Sequence, residues 1–313
     1  MNDKNREEIK KVLIESEELN TPFYTLKDLK VELVDYPMNP YKTIVNMALQ
    51  TWRCKGNKWE ELSPDTRFEI VKLVLQKKAL PLALEHPTFS FQISHIDRST
   101  FDQLARARIG IVFSSKGQKD DMLSDNGFVI PTAILGTKFE EELKIKVLEC
   151  KILYQKMYEA GLPNWCLRSI LPMYLEHNFM FSANFMSIQN LLSKRLETTE
   201  QEGCVAFSIL VREAIKEKFP LLAEYLRPAC DGAKKDLNAV FNGFSDIIGV
   251  PHISDNRQPG YDDSKYNAKH KTPCTDIKKV EQLIGKHLPL PSEYQDYTWE
   301  TLPVDDKMKF RED

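Results

Sequence analysis

The run HPTFSFQIS sets Phe89, Phe91 and Ile93 on alternate positions, with Ser90 and Gln92 between them. Side chains of a strand point alternately to opposite faces, so this spacing describes a strand with one buried face. The chain must therefore build a sheet and cover one side of it. What lies around this strand decides which kind of sheet. Shorter strands are expected in VELVDYPMNP, in GIVFSS and in MYLEHNFMFSAN. Helical periodicity runs from about Tyr41 to Arg53 and through SPDTRFEIVKLVLQKKAL, where Ser63 is a cap and Pro64 stands in the first turn. It returns at 138–160, closed by Gly161, then in the proline-bracketed PNWCLRSILP, in FMSIQNLLSKRL and in EQEGCVAFSILVREAIKEKFP. Asp97 or Ser99 caps a further helix, read as carrying Gln103, Arg106 and Arg108. Helices and strands do not alternate as βαβ units, so the class is α+β, with a mostly antiparallel sheet packed with helices.

Two ends stand apart. Residues 1–20 read as a polar amphipathic helix. From about Asp231, Gly, Asp, Asn and Pro become frequent and periodicity fades, which describes a tail that wraps the domain or is partly disordered.

The totals exclude several functions. A net charge of −3 and a pI near 6.1 argue against a general nucleic-acid surface, which needs a basic excess. They leave room for a small anion held by a few focused arginines. No apolar run reaches the length of a membrane span, and the charged start MNDKNREEIKK is no secretory leader. The six cysteines show no CxxC spacing and read as reduced thiols of a cytoplasmic protein. The six histidines form neither HExxH nor HxH, so no metal is expected. Neither GxGxxG nor GxxxxGK[ST] occurs, so a bound nucleotide would not use those glycine-rich cradles.

Four arginines in apolar settings carry the remaining signal: Arg106 and Arg108 in FDQLARARIGIVFSSKGQK, Arg168 in WCLRSILP and Arg195 in LLSKRLETTEQ. A buried guanidinium needs a partner. Internal ion pairing with some of the 46 acidic residues is the ordinary explanation. The alternative is a site for a phosphate and a polar ring, which suits the planar fork of arginine. His86 in LEHPTFSF reads by itself as a packed or capping histidine, Asn184 as a helix cap, and Gln201 between Glu200 and Glu202 as a solvated face.

Taken together, these blocks resemble the flavin-dependent thymidylate synthase (ThyX) family in order, spacing and residue type. The family's glutamate-histidine followed by a phenylalanine-threonine-phenylalanine strand is here Glu85, His86, Phe89, Ser90 and Phe91. Its glutamine, two residues, then arginine-histidine-arginine is Gln103, Arg106, Ala107 and Arg108. Its third block, an arginine before LP, two asparagines six apart and an arginine five beyond, is Arg168, Asn184, Asn190 and Arg195. Its later alanine-glutamine is Glu200-Gln201. The resemblance covers roughly residues 40–228. It implies a ThyX-like fold with an N-terminal extension over 1–40, a catalytic domain over 41–230 and a C-terminal extension over 231–313.

The resemblance also implies a chemistry: methylation at C5 of dUMP, giving dTMP, with FAD as cofactor and NADPH and methylenetetrahydrofolate as cosubstrates, and without a nucleophilic enzyme cysteine. It assigns Arg195 as catalytic, stabilising charge on the carbonyls and N3 of the pyrimidine. Gln103, Arg106, Arg168, Arg195 and Lys119 match nucleotide-binding positions, and His86, Ser90, Arg108, Asn184 and Asn190 match positions near FAD. It implies a homo-oligomer, a tetramer with shared sites, and the cytoplasm as location, that of a host cell if the chain is virus-encoded. Ala107 stands where the family keeps a histidine. In IVFSSKGQK the family's serine and arginine are replaced by Gly117 and Lys119 in one register, or by Lys116 and Gln118 in the other. Met186 stands for an arginine and Thr199 for a histidine on the flavin side. These departures point to a relative with a changed substrate or product, such as hydroxymethylation of dUMP or dCMP. Two other readings remain: a nucleotide-binding homologue without flavin, and a structural protein whose arginines are all paired internally.

Overall fold

A computed structural model of the chain describes Val12 and residues 21–52, 58–117, 126–197, 200–228 and 275–312. The helix expected over 1–20 and the loop expected over 116–127 fall largely outside these residues, as does the first part of the tail, 231–274.

The alternating run is a strand, β3 (Thr88–Asp97), with Phe89, Phe91 and Ile93 fully buried. It lies inside a four-stranded sheet ordered β2-β3-β6-β4, where β2 is Lys30–Asp35, β4 is Ile111–Ser115 and β6 is Glu176–Asn184. β3 and β6 are antiparallel. The Phe91 and Phe181 rings stack 5.0 Å apart and Ser90 Oγ lies 2.8 Å from Ser182 Oγ, whereas His95 N–H donates to the Asn178 side chain. A separate pair joins β1 (Phe23–Tyr24) and β5 (Phe128–Val129), in parallel. Helices plus a largely antiparallel sheet make the class α+β, as the sequence predicts. No described helix is long and apolar enough to cross a membrane.

The chain divides into two compact units. The first comprises Met1–Lys30, Ile93–Arg106 and Phe113–Met180. Here α3 (Arg98–Leu104) follows β3 without a loop, because the Asp97 side chain accepts from Thr100 N–H at 2.8 Å and caps the helix. The helix stops before the two arginines, so Gln103 is on it and Arg106 and Arg108 lie beyond it. Gly110 has φ +67°, a left-handed conformation that no helix continues through. α4 (Glu140–Glu159) opens on three glutamates, favourable beside its partial positive end, and buries Val147, Leu148, Ile152 and Tyr154. PNWCLRSILP makes only one helical turn, α5 (Asn164–Leu167), then a 3-10 turn over Arg168–Ile170.

The second unit comprises Val31–Gln92, Ala107–Val112 and Phe181–Asp313. It holds α1 (Pro40–Trp52), α2 (Pro64–Leu75), α6 (Phe185–Arg195), α7 (Glu202–Lys216) and α8 (Pro220–Ala223). Two helices of the C-terminal stretch, α9 (Ile277–Ile284) and α10 (Val304–Arg311), belong to it as well. Phe310 of α10 is fully buried, stacked on Tyr41 at 4.5 Å and on Trp59 at 6.2 Å, and edge-on to Phe68. A helix ends with carbonyls that need donors. Arg67 supplies one to the Phe310 carbonyl at 2.7 Å, Asn39 one to Lys309, and the Trp59 indole one to the Glu312 carbonyl just past the helix.

Candidate active site

Three of the five expected flavin-side positions sit around one structural feature of the second unit, the N-terminus of α6. Asn184 is its cap, with the side-chain oxygen accepting from Ser187 N–H at 2.8 Å. Phe185 N–H donates to the Pro87 carbonyl at 2.9 Å, which brings His86 to the same helix end. Ser187 Oγ donates to the Ile109 carbonyl at 2.8 Å and Asn184 N–H to the Gly110 carbonyl at 3.2 Å, which tethers the segment that carries Arg108. Asn190 lies further along α6 and is exposed, one turn after Met186 and on the same face. Ser90 lies on β3, half-buried and bonded to Ser182.

Close approach explains Gly110. A Cβ there would stand 2.2 Å from Ser187 Oγ and 2.6 Å from Asn184 Nδ2, on a backbone that already has positive φ. Only glycine lets the strand start so near the helix end. Neither Gly110 nor Ser187 is singled out by the sequence reading. The available signal was the cap spacing from Asn184 to Ser187, three residues, and a glycine directly after an arginine-alanine-arginine-isoleucine run.

The helix dipole favours an anion at an N-terminus, although here the Phe185 and Ser187 N–H groups already have acceptors. Arg108 and His86 are exposed there, and neither has an ion pair among the described residues. Asn184, Asn190 and Ser90 add neutral hydrogen-bonding groups. Met186 leaves the outward face of α6 without the cation that the family pattern places there. Thr198 and Thr199 lie outside the described residues.

The nucleotide-side positions divide between the two units. In the first, Gln103 is half-buried on α3, while Arg106 and Arg168 are exposed and make no ion pair among the described residues. Among the described residues, internal pairing therefore does not account for Arg106, Arg108 or Arg168. Lys119 lies outside the described residues. In the second unit, Arg195 ends α6 and its Nη1 lies 2.5 Å from Glu200 Oε2, so for this arginine an acidic partner is present. Glu200, read from sequence as part of a solvated face, is instead the carboxylate at that guanidinium. Its carbonyl accepts from Thr275 Oγ1 at 2.5 Å, and its N–H donates to the Glu197 carbonyl at 3.1 Å.

Two buried titratable groups lie outside these sets. In the first unit, burial pushes the His177 imidazole down to about 4, and the nearby Arg98 guanidinium acts in the same direction. Its ring packs on Phe101 at 4.4 Å, and its buried Nε2 finds no hydrogen-bond partner among the described residues. In the second, burial raises the Asp306 carboxyl to about 6, although Tyr41 Oη–H donates to it at 2.5 Å and Leu221 N–H at 2.7 Å.

Most of the chain is similar to known proteins. Residues 32–221 match the family model described as thymidylate synthase complementing protein. A flavin-dependent thymidylate synthase of Pyrococcus abyssi is 27% identical over 221 residues, covering 66% of this chain and 84% of that protein. Relatives of the same name from Thermotoga neapolitana and Clostridium tetani are 27% and 24% identical and are covered over 87% and 88% of their lengths. Among solved structures, the UMP/dUMP methylase PolB from Streptomyces cacaoi, bound with 5-Br dUMP, superposes with a TM-score of 0.52. It is 15% identical, and the match covers 64% of this chain and 96% of that one. At that identity the likeness establishes the fold.

Proposed function

The chain belongs to the thymidylate synthase complementing protein family, the flavin-dependent thymidylate synthases, and on that footing we propose that it transfers a one-carbon unit to C5 of a pyrimidine deoxynucleotide. The observation that carries the reading is the survival of the arginines. Arg106, Arg108 and Arg168 stay exposed and without ion pairs among the described residues, while Arg195 stays at the end of α6 at the family's spacing. Exposed cations that serve no internal pairing suit an anionic ligand.

Methylenetetrahydrofolate is the carbon donor and NADPH the reductant in this reading. Both carbon–nitrogen bonds that bridge the methylene to the folate break, with a proton taken up at each nitrogen, a bond to C5 forms and the C5 proton leaves. The two electrons of a hydride from NADPH reduce the methylene to a methyl group. FAD, held at the N-terminus of α6, supplies redox and carbon-carrying capacity. Arg195 donates to the pyrimidine carbonyls and stabilises the negative charge that spreads over them and N3 as C5 becomes nucleophilic. Gln103, Arg106, Arg168 and, from the loop, Lys119 hold the sugar and phosphate. His86, Ser90, Arg108, Asn184 and Asn190 hold the flavin. The functional protein is a homotetramer with sites shared among copies, and 41–230 is its catalytic domain, with 1–40 and 231–313 as extensions.

The altered positions Ala107, Met186 and Glu200 favour a second form of the same reading, in which the substrate or product differs from dUMP and dTMP. Arg195→Ala tests either form. Its side chain is partly exposed at the end of α6, so the fold is expected to survive while nucleotide-dependent turnover falls by about a hundredfold or more. Wild-type turnover in a folded Arg195→Ala protein would overturn the assignment.

A further inference from the structure

The carboxylate at Arg195 bears on which pyrimidine the site accepts. Glu200 occupies a position that is alanine in the family pattern, and it places Oε2 2.5 Å from Arg195 Nη1. Its backbone is tied on both sides, by the Glu197 carbonyl and by the Thr275 hydroxyl. The next residue, Gln201, begins α7 as its cap position, and its carbonyl accepts from Cys204 N–H at 2.9 Å. Glu200 is therefore a held side chain beside the guanidinium, with 23% of its surface exposed against 15% for Arg195.

We infer that Glu200 determines base specificity, turning the subsite at Arg195 toward a 4-aminopyrimidine, a cytosine nucleotide, and away from uracil. The inference rests on the reading of Arg195 as the residue that meets the base. A guanidinium only donates hydrogen bonds and an ionised carboxylate only accepts them. Side by side they present one donor edge and one acceptor edge. Cytosine offers the complement: N3 and O2 accept and the 4-amino group donates, the pairing by which acidic side chains read cytosine N4. Uracil offers O4 at the same place, an acceptor against an acceptor, and its N3–H replaces the lone pair that the guanidinium would meet. With alanine at this position the guanidinium has no such neighbour, and two ring carbonyls are its natural partners. A polar group left facing the wrong partner in a partly buried site costs affinity, because it has given up water without replacement.

The test is a competition between dCMP and dUMP, using the FAD-loaded protein with methylenetetrahydrofolate and NADPH, and equilibrium binding of each nucleotide to the same preparation. Wild type is expected to favour dCMP by about tenfold to a hundredfold in both kcat/KM and Kd. Glu200→Ala is expected to erase or reverse that ratio while keeping nucleotide binding, and Glu200→Gln, which keeps the shape and can either donate or accept, to leave a ratio near unity. A wild-type preference for dUMP, or a ratio that neither variant moves, overturns the inference and leaves the one-carbon transferase reading standing. Binding of neither nucleotide by wild type overturns both.

Discussion

A single glycine shows how closely the candidate site is built. Gly110 joins the Arg108 segment to the start of α6 at a distance that leaves no room for a Cβ, with Ser187 Oγ 2.2 Å from where one would be. Replacing it with alanine adds a clash to a left-handed backbone. Gly110→Ala is expected to cost about 1–3 kcal/mol of stability in chemical denaturation and to weaken FAD retention on gel filtration; a variant as stable as wild type with full flavin occupancy would contradict the geometry. At this scale the sequence was only partly legible. His86, Arg108 and Asn184 are singled out by the family resemblance, and the structure gathers them at one helix end. The pairing of Glu200 with Arg195 was not legible, because an acidic residue between Thr199 and Gln201 has the composition of a solvent-facing turn. Only the chain's return from α6 into α7 brings that carboxylate to the guanidinium. Gly110 was hidden for a related reason: its neighbours in space, Asn184 and Ser187, lie over seventy residues away.

Among elements, the strands and long helices follow local pattern, and the exceptions follow tertiary contacts. The alternation around Phe89 gives β3, and Ser63 with Pro64 opens α2, although Ser63 Oγ bonds to Thr66 Oγ1 rather than to a backbone donor. The helix expected to carry both arginines ends at Leu104, since the next residues must reach Gly110 and the strand beyond it. α10 was unreadable as a core element. Its sequence, VDDKMKFR, is mostly polar, and its weight rests on one aromatic, Phe310, and one buried acid, Asp306. The acid gives this element a pH dependence. Burial raises the Asp306 carboxyl to about 6, so between about pH 4 and pH 6 the folded chain holds a proton that the unfolded chain has released. Stability from this group is full below the unfolded value and is lost as pH rises through 6, an effect of about 3 kcal/mol. Asp306→Asn removes it. Urea midpoints measured across that window are expected to show wild type losing ground to the variant as pH increases. A constant difference between the two would mean the carboxyl does not titrate as described.

For the molecule as a whole, family and chemistry rest on different supports. The family follows from the match over 32–221, and the fold is shared with a UMP/dUMP methylase. The proposed chemistry rests on side chains that the fold leaves exposed and cationic, and the proposed change of substrate on the departures that mark this chain off: Ala107, Met186 and Glu200. The most direct measurement of the central claim is mass spectrometry of the nucleotide products after incubation with methylenetetrahydrofolate, NADPH and FAD, using a panel that includes dUMP and dCMP. A product heavier by one carbon unit at C5 of a pyrimidine, absent when Arg195 is replaced by alanine, is predicted; recovery of every nucleotide unchanged by the FAD-loaded protein would contradict the account.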